Sequence, residues 1–464
     1  MKYFLMHLGC QMNQSDAERI RTVLEGMGIE RTEKEETADI LGMVSCSVRQ
    51  KAIDRVYSRI HRWNTWKQER PLLTFVSGCV LPGDREKFAA RFDLVFSITE
   101  LPELPRMIRN HGVVTAASAR GVVPESSLSD PQRGYWEVEP TYSAGVEAFI
   151  PIQNGCDKFC TFCAVPYARG REVSRAPADI LEEFDRIVER GYRAVTLLGQ
   201  NVNSYGRDGR SNGVDFPELL RRIGRRAEAS GRDFWVYFTS PHPRDMTREV
   251  LEVIAEHRHL ARQIHLPLQS GDDEVLRNMN RKHGLTDYRG IVADIRELLP
   301  DATLFTDIIV GFPGETEAQF ERTRAAMEEF QYDMAYVAMY SPRPGATSSR
   351  WQDDVPHEEK RRRLHVLSEE LQKSAGARNA ARVGHRLPVL VSGRDRKPGY
   401  LTGMTEGRIN VRFPWPDDEP IGKIATVDIT GHASLSLSGE RADLTEADRS
   451  RRTGSPNSTA GYRR

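Results

Sequence analysis

The sequence predicts an α/β protein with three parts: an N-terminal parallel βα domain, a central partial (βα)6 TIM-like barrel and a small C-terminal β-barrel. Short apolar runs alternate with helical patterns over residues 1–114 and again over residues 146–382, which is typical of βαβ units and parallel sheets. After Gly384 the hydrophobic period changes to two, which indicates short antiparallel strands. The 464 residues also suffice for about three domains at roughly 150 residues each.

The N-terminal domain is predicted to contain four strands and the helices between them. The first helix has Ser15 or Asp16 as its N-cap and ends near Gly28, and the second begins near Gln50. Residues 115–145, rich in Ser, Pro and Gly, are predicted to be a linker. The four predicted strands are Tyr3–Leu8, Ile40–Val44, Leu72–Val76 and Leu94–Phe96.

The central part is predicted to form a parallel sheet curled into a partial barrel, with functional loops at the carboxyl ends of its strands. One helix is clearly marked, because Pro177 lies in its first turn and Gly191 ends it. A long helix with Leu364, Leu367 and Leu371 in register leads out of the barrel. The predicted strands are Phe149–Ile152, Ala194–Leu198, Phe234–Phe238, Gln263–Leu266, Thr303–Val310 and Met334–Tyr340.

The C-terminal part, residues 383–440, is predicted to be a small β-barrel module. Residues 441–464 are rich in Arg, Ser, Asp and Gly, and we expect them to be a disordered tail. The five predicted strands are Leu387–Val391, Tyr400–Met404, Ile409–Arg412, Lys423–Asp428 and Ser434–Leu437.

Composition excludes some classes of protein. Lys+Arg and Asp+Glu both number 66, so the net charge is zero, which excludes a histone-like protein and a self-repelling acidic one. A local basic patch remains compatible with nucleic-acid binding. No apolar run approaches the roughly 18 residues of a spanning helix, and the start of the chain is too short in apolar residues for a signal peptide. We expect a cytoplasmic protein without membrane contact, whose six cysteines are not paired as disulfides.

Three of the cysteines, Cys156, Cys160 and Cys163, lie close together directly after the first barrel strand. Three thiolates at this spacing can hold one face of a metal site but cannot supply four ligands, and no fourth zinc ligand lies nearby. A 4Fe–4S cube held at three corners keeps one iron open for another molecule. The alternative is three buried cysteines that act as small apolar side chains.

The other three cysteines, Cys10, Cys46 and Cys79, each follow a predicted strand of the N-terminal domain. In an open parallel sheet the loops beyond the carboxyl ends of the strands share one crevice, so these cysteines are expected to converge. They too would supply three ligands and leave one corner open. Gly9 and Gly78 would let the backbone approach a bulky cluster closely. The alternative is three unrelated structural cysteines.

The spacing of the tight triple, with the aromatic Phe162 before its last cysteine, resembles the radical S-adenosylmethionine (SAM) superfamily. The resemblance implies that the open iron binds the amino and carboxylate groups of SAM. An electron from the cluster then breaks the S–C5′ bond, and the 5′-deoxyadenosyl radical abstracts hydrogen from the substrate. By analogy Phe162 would lie against the adenine. Residues at later strand ends that match the superfamily, and that are expected to contact SAM, are Gly199, Gln200, Asn201, Ser240, Gln269, Ser270, Val310 and Gly311.

Taken together, the two triples resemble the radical methylthiotransferase family over about residues 1–440. The C-terminal module resembles the RNA-binding TRAM domain. The resemblance implies two 4Fe–4S clusters, SAM, a tRNA substrate, an electron donor of the flavodoxin or ferredoxin type and a sulfur donor. The matching stretches are Gly9–Asn13, Cys46–Arg49, Cys156–Arg175, Gly199–Asn203, His265–Gly271, Thr306–Glu315 and Tyr340–Gly345.

Within this family, the Cys-Gln-Met-Asn run at Cys10–Asn13 and the stretch Val165–Arg175 resemble most the MiaB-type branch. That branch acts on isopentenyl-adenosine (dimethylallyl-adenosine) beside the anticodon. The resemblance implies hydrogen abstraction from C2, sulfur from the second cluster and methyl from a second SAM. Val44–Cys46, Cys79–Pro82 and Ser240–His242 depart from the common motifs, which leaves the substrate preference open.

Two other functions therefore remain as alternatives. One is a methylthiotransferase of the same family that acts on threonylcarbamoyl-adenosine in tRNA or on a ribosomal protein. The other is a non-catalytic iron–sulfur RNA-binding protein that uses the terminal module.

The distribution of charge supports an RNA partner only weakly. Residues 385–440 contain as many acidic as basic residues. A cluster at Arg394, Arg396 and Lys397, with Arg408 and Arg412 on a neighbouring strand, would meet phosphates or lie in a solvated turn.

Other basic residues lie in the central part of the chain. We expect Lys360–Arg363 to be an exposed helix face. Arg169 and Arg171 are candidates for a contact with substrate or cofactor, or for a structural ion pair.

Overall fold

The computed structural model describes residues 1–46, 50–113, 131–143 and 145–442. Residues 47–49, most of the predicted linker and nearly all of the predicted tail lie outside the described residues. The predicted fold class is confirmed, with parallel sheets in the N-terminal and central domains and a closed barrel at the C-terminal end.

The N-terminal domain is a five-stranded sheet of order β2-β1-β3-β4-β5 whose strands all run parallel. Every residue of β3 and β4 is buried, as expected for a parallel sheet covered on both faces. The strands are β1 Lys2–His7, β2 Glu30–Arg31, β3 Ile40–Cys46, β4 Leu73–Cys79 and β5 Leu94–Val95. The helices are α1 Gln11–Gly26, α2 Gln50–Trp66, α3 Pro82–Ala89 and α4 Leu104–Asn110.

Helix α1 begins earlier than predicted, directly after Cys10, so the N-cap predicted at Ser15 or Asp16 is wrong. Its first turn is held by the Asn13 amide, which donates to the carbonyl oxygen of Leu8 at 3.1 Å. Ser15 and Asp16 are buried inside the helix. The carboxylate of Asp16 bonds to other parts of the chain instead of to its own helix terminus.

Part of the predicted linker is helical: α5 spans Pro131–Glu137. Tyr135 is buried, and its hydroxyl donates to Asp16 Oδ1 at 2.7 Å. Tyr135 and Val138 complete the apolar core of the N-terminal domain. Tyr135 is held by a carboxylate that is distant in sequence, and no local pattern reveals such a contact. The composition of this segment therefore indicated a linker.

The central domain is the predicted partial barrel of six parallel strands. Its two three-stranded sheets, β10-β9-β6 and β11-β12-β13, are joined where the Ala261 amide donates to the Val236 carbonyl at 2.8 Å. The strands are β6 Glu147–Pro151, β9 Ala194–Leu198, β10 Trp235–Thr239, β11 Gln263–His265, β12 Thr303–Val310 and β13 Met334–Met339, and a small ladder pairs β7 Gln153–Asn154 with β8 Val173–Ser174.

Helices cover the outside of this barrel. The predicted apolar stripe of α7, which includes Ile180, Phe184 and Ile187, is buried in the largest core of the molecule. The helices are α6 Val165–Arg169, α7 Pro177–Glu189, α8 Phe216–Ala229, α9 Arg248–Glu256, α10 Asp273–Asn278, α11 Leu285–Leu298, α12 Glu317–Phe330 and α13 His357–Ala380.

The exit helix α13 corrects one expectation about charge. Lys360–Arg363 were expected to form an exposed face; Arg361 and Arg362 are exposed, but Lys360 and Arg363 are buried. Lys360 pairs with Asp353, and Arg363 Nη1 lies 2.8 Å from Glu315 Oε2. These carboxylates belong to loops before the helix, so the charges are compensated by partners that helical periodicity does not reveal.

The C-terminal module is a closed barrel of strand order β14-β15-β16-β18-β17, which confirms the predicted five-stranded module. Its core includes Val389, Leu401, Val411, Phe413 and Val427. The strands are β14 Arg386–Arg394, β15 Tyr400–Thr405, β16 Asn410–Pro414, β17 Ile424–Ala433 and β18 Ser436–Arg441. Among the residues that the structure describes, no helix combines the length and the apolar character needed to cross a membrane.

A buried ion network joins the N-terminal domain to the central barrel. Glu183 of α7 pairs with Arg175 and lies 3.5 Å from the guanidinium of Arg19 on α1. Its carboxylate also accepts from the Tyr142 hydroxyl at 2.9 Å. Burial raises the pKa of Glu183, but Arg175 and Arg19 outweigh burial and hold that pKa below its usual value. The network therefore keeps one carboxylate charged between two buried guanidinium groups.

We predict that Glu183→Gln lowers the free energy of unfolding by about 3–5 kcal/mol, because it leaves two buried cations without a counter-charge. Chemical denaturation of the purified protein measures this loss. The matched control is Glu182→Gln, since that side chain is 73% exposed and pairs with Arg186 on the same helix; it should change stability by less than about 1 kcal/mol. Equal effects of the two substitutions would contradict the assigned role of the network.

Candidate functional site

A cavity of about 1030 Å³ occupies the interior of the partial barrel. A complete barrel fills this space with layers of side chains, whereas here it stays open toward the carboxyl ends of the strands. Both the N-terminal domain and the barrel contribute to its wall. Residues at its upper end include Cys10, Cys46, Cys79, Gly199, Gln200 and Ser240.

The dispersed cysteines converge at the carboxyl edge of the N-terminal sheet, as predicted. Cys46 and Cys79 end neighbouring strands in direct register. The thiols of Cys10 and Cys79 lie 3.6 and 3.5 Å from the side-chain oxygen of Asn13. A hydrogen bond with Cys46 and burial raise the pKa of the Cys79 thiol well above its usual value. Three cysteines that are far apart in sequence are thus brought together, two of them at the Asn13 amide and the third bonded to Cys79.

Gly9 and Gly78 have positive φ angles of 135° and 100°. A Cβ at Gly9 would lie 2.8 Å from Cys46 Cβ, and one at Gly78 would lie 2.5 Å from the Ser45 carbonyl oxygen. The close approach that these glycines allow is therefore to the neighbouring strand β3. This packing requirement holds the cysteines in register, and the further expectation that these glycines allow close approach to a cluster stays a prediction.

The tight cysteines lie on the loop between β7 and α6. Cys156 and Cys160 are buried and Cys163 is half-buried. The loop is anchored by backbone bonds, from the Cys156 amide to Gly170 at 3.2 Å and from the Cys163 amide to Cys160 at 3.0 Å. Burial raises the pKa of the Cys156 and Cys163 thiols to about 12, so binding a thiophilic metal here must displace protons.

The guanidinium of Arg281 lies beside this loop, and it was not predicted from the sequence. Its Nη1 lies 3.4 Å from Cys160 Sγ, and its Nη2 donates to the Pro267 carbonyl at 2.9 Å. The residue is 5% exposed, and among the described residues no carboxylate lies within ion-pair distance of it. A buried cation without a counter-charge fits a negatively charged group held by the cysteines. The basic pair Arg281-Lys282 was the available signal.

Within the described ranges, no three His, Cys, Asp or Glu side chains converge as ligands of one metal ion. This is compatible with a cluster, because in a four-iron cube each cysteine binds a different iron. Two sets of three thiols, one beside an uncompensated guanidinium, are donors of the kind that iron–sulfur clusters require. The residues present therefore fit such groups.

Arg169, which the sequence left as a ligand contact or a structural ion pair, joins the two domains at the cavity. Its Nη2 lies 2.5 Å from Asp16 Oδ2, and its Nε lies 2.9 Å from Cys79 Sγ. Its Nη1 donates to Asn154 Oδ1 at 3.2 Å. Arg171, by contrast, is exposed and pairs with Asp157. Arg169 is thus both an ion pair and a neighbour of a cysteine thiol.

Three of the residues predicted to contact SAM line the cavity: Gly199, Gln200 and Ser240. Gln200 also anchors the cysteine loop, because its Oε1 accepts from the Gly155 amide at 2.6 Å. Asn201 is buried and donates to Asp245 Oδ2 at 3.0 Å.

The remaining predicted contacts pack outside the lining of this cavity. Ser270 lies 3.2 Å from the Thr323 hydroxyl, and the Gln269 amide donates to the Asp307 carbonyl at 2.8 Å. Val310 is fully buried in the barrel core.

Two more of them lie against neighbouring side chains. Gly311 lies against the Lys360 side chain, and its amide donates to Glu315 Oε2 at 2.6 Å. Phe162 packs in a small apolar cluster with Met279 and Phe312.

The sequence matches two family models. One is the radical SAM superfamily, matched over residues 150–327, and the other is the uncharacterized protein family UPF0004, matched over residues 2–99. The chain is 38% identical to the tRNA-2-methylthio-N(6)-dimethylallyladenosine synthase of Oceanobacillus iheyensis, over 96% of this chain and 85% of that protein. It is 39% identical to the synthase of the same name from Symbiobacterium thermophilum, over 93% of this chain and 92% of that protein.

The chain belongs to the tRNA-2-methylthio-N(6)-dimethylallyladenosine synthase family. Members of this family are radical-SAM transferases that use SAM and 4Fe–4S clusters. The fold is also similar to that of the radical SAM methyltransferase TsrM from Kitasatospora setae, with a TM-score of 0.55 and 15% identity over 75% of each chain. At that identity the likeness concerns the fold alone.

In the metal-free protein, we predict that Arg281→Met leaves the free energy of unfolding unchanged or raises it, because the substitution removes a buried charge that has no carboxylate counter-charge among the described residues. The matched control is Arg363→Met, which leaves the buried carboxylate of Glu315 without its counter-charge. This substitution should lower the free energy of unfolding by about 3–5 kcal/mol. Denaturation of both variants without iron measures this difference. A loss for Arg281→Met as large as that for Arg363→Met would show that the apo protein already compensates Arg281.

Proposed function

We propose that this chain adds a methylthio group to C2 of N6-isopentenyl(dimethylallyl)adenosine next to the anticodon of tRNA. The observation that carries the proposal is that the dispersed cysteines line the same cavity as Gly199, Gln200 and Ser240 on the barrel. Cys156, Cys160 and Cys163 are not among the residues that line this cavity, but their loop is bonded at Gly155 to Gln200, which does line it. A radical source would therefore lie beside the cavity that the sulfur source faces. Membership of the synthase family supports this substrate over threonylcarbamoyl-adenosine or a ribosomal protein.

Cys156, Cys160 and Cys163 would hold the 4Fe–4S cluster that, with SAM bound, supplies the 5′-deoxyadenosyl radical. Arg281 would balance the negative charge of the thiolates beside Cys160, from which its Nη1 lies 3.4 Å. Phe162 packs against Met279 and Phe312 and is not among the residues that line the cavity. Its predicted contact with adenine, like those of the other strand-end residues, is a proposal for the SAM-bound protein.

The chain itself holds the cysteine loop on the barrel through a set of charged and polar bonds. Lys158 lies 2.5 Å from Asp245 Oδ2, and the Asn201 amide donates to the same oxygen at 3.0 Å. Gln200 accepts from the loop at Gly155. The loop is therefore fixed to the ends of β9 and β10, and this rigidity orients a bound cofactor toward the cavity.

Cys10, Cys46 and Cys79 would hold the second 4Fe–4S cluster, which supplies or carries the sulfur. Asn13 orients two of these thiols, and Arg169 places a positive charge 2.9 Å from Cys79 Sγ. A second SAM would provide the methyl group. An electron donor of the flavodoxin or ferredoxin type and a sulfur donor complete the proposed set of partners, in the cytoplasm where tRNA is modified.

The test is anaerobic reconstitution of the full chain, followed by iron analysis, quantification of 5′-deoxyadenosine and mass spectrometry of tRNA nucleosides. We predict about eight iron atoms per chain, as expected for two four-iron clusters, and a methylthio product on isopentenylated tRNA. Threonylcarbamoylated tRNA and ribosomal protein serve as parallel substrates and should remain unmodified.

Two variants act as matched controls for each other. Replacing Cys156, Cys160 and Cys163 by Ala should abolish 5′-deoxyadenosine formation and leave about four iron atoms. Replacing Cys10, Cys46 and Cys79 by Ala should also leave about four and should retain 5′-deoxyadenosine formation without methylthiolation. If neither variant forms 5′-deoxyadenosine, or if the wild type forms no 5′-deoxyadenosine, the proposed division of roles is contradicted. RNA binding without any SAM cleavage would instead support the non-catalytic alternative.

A further inference from the structure

The turn that joins β15 to β16 in the C-terminal module is docked on the lower end of the catalytic barrel. The Tyr237 hydroxyl donates to the Glu406 carbonyl at 2.9 Å, and the Thr303 hydroxyl donates to the Gly407 carbonyl at 2.8 Å. The Arg262 amide donates to Glu406 Oε1 at 3.0 Å. The turn thus bonds to the beginnings of the strands, opposite the cysteines.

Arg408, at the end of this turn, projects into the barrel. Its backbone has the left-handed conformation, with φ of 58°, and its guanidinium lies 4.0 Å from the ring centroid of Tyr237. Nη2 lies 2.5 Å from Glu147 Oε1 and donates to Thr196 Oγ1 at 3.0 Å. A residue expected to belong to an RNA-facing basic cluster is therefore bonded to three barrel strands.

Arg408 also lines the cavity that Cys10, Cys46 and Cys79 line at the other end. Thr196 and Tyr237, its partners, lie midway along their strands and face the same space. The central domain has six strands and an open interior. At the end where its strands begin, the cavity is therefore open to solvent unless another part of the chain closes it. The turn closes this end, and Arg408 is the part of it that enters the cavity.

We propose that Arg408 is a positioning residue that forms the floor of the reaction cavity, so that the C-terminal module is part of the methylthiotransferase site as well as a candidate RNA-binding domain. The charge of Arg408 is needed because the Glu147 carboxylate lies at this floor. Without the guanidinium, Glu147 is left uncompensated, and solvation of its charge draws water into the cavity. The substrate base then loses the surface that sets its depth below the cysteines.

A consequence is reciprocal coupling between the module and the cavity. A ligand that fills the cavity on a docked module stabilises that docking, and docking strengthens the binding of the ligand by the same factor. This inference rests on the proposed function only in taking the cavity as the place of methylthiolation.

The test compares the reconstituted wild type with Arg408→Ala, with the double variant Glu147→Gln/Arg408→Ala and with the control Arg386→Ala. Arg386 belongs to the same module, but its side chain is 61% exposed and pairs with Asp428. The readouts are the number of 5′-deoxyadenosine molecules formed per methylthiolated adenosine and, in metal-free protein, hydrogen exchange of residues 405–409 and of β9.

We expect Arg408→Ala to lower methylthiolation roughly ten- to hundredfold, the scale of a misplaced substrate, while 5′-deoxyadenosine continues to form, so the ratio of the two rises. Adding Glu147→Gln in the double variant should restore part of the lost methylthiolation, because it removes the uncompensated carboxylate charge of Glu147. Exchange at 405–409 and β9 should rise in Arg408→Ala alone, and Arg386→Ala should match the wild type throughout.

A ratio in Arg408→Ala equal to that of the wild type would overturn the proposal. The proposal would also be overturned if the double variant methylthiolated tRNA no faster than Arg408→Ala. Arg408 would then be a simple docking contact. If the wild type itself makes no methylthio product, the proposed function fails. The exchange measurement in the metal-free chain still decides whether Arg408 and Glu147 close the floor.

Discussion

The arrangement of the whole site depends on one buried guanidinium, that of Arg169. It is held by Asp16 from the N-terminal domain and by Asn154 from the barrel, and it lies beside the Cys79 thiol. A buried cation is costly unless it is paired and hydrogen-bonded, so the two domains cannot separate here without exposing or stranding a charge. The position of one cysteine triple relative to the other is fixed by this requirement, with the Arg19–Glu183–Arg175 network as a second tie.

Because these ion pairs hold the N-terminal domain against the barrel, the two domains together enclose one cavity. The N-terminal sheet ends in cysteines at the same edge where the barrel strands end in Gly199 and Ser240, and each group alone would form an open crevice. Placed face to face, they enclose a space bounded below by Arg408 of the third domain. Radical chemistry benefits from such enclosure, since the cofactors perform the difficult step and the protein orients them and excludes side reactions.

Much of this architecture could be predicted from the sequence, because it follows from local periodicity. Most strands of both parallel sheets and of the closed terminal barrel are visible as apolar runs and alternation, whereas the short strand β2, formed by the exposed charged pair Glu30–Arg31, was not predicted. The convergence of Cys10, Cys46 and Cys79 follows from their places after parallel strands. The start of α1 could not be predicted, because its first turn is set by the bonds of Asn13 to the carbonyl oxygens of Leu8, after β1, and Ser45, in β3.

The errors concern charged residues above all. Lys360, Arg363 and Arg408 were assigned to solvated or RNA-facing surfaces, and each is paired inside the protein. Arg281 was missed altogether. The partner of Arg408, Glu147, is more than two hundred residues away in sequence, so no helical or strand periodicity reveals it. A charge run shows its chemistry in the sequence, but its burial is decided by the tertiary fold.

We infer that both cysteine triples carry clusters and that the two clusters lie close together, one lining the cavity and the other on the loop bonded to the cavity-lining Gln200. The most direct measurement is electron paramagnetic resonance of the anaerobically reconstituted, fully reduced chain. It is compared with the sum of the spectra of the two variants that each lack one cysteine triple. We predict magnetic interaction between the clusters, seen as broadening and faster spin relaxation that neither variant shows. A wild-type spectrum equal to the simple sum of two isolated clusters would contradict the inferred closeness of the two clusters.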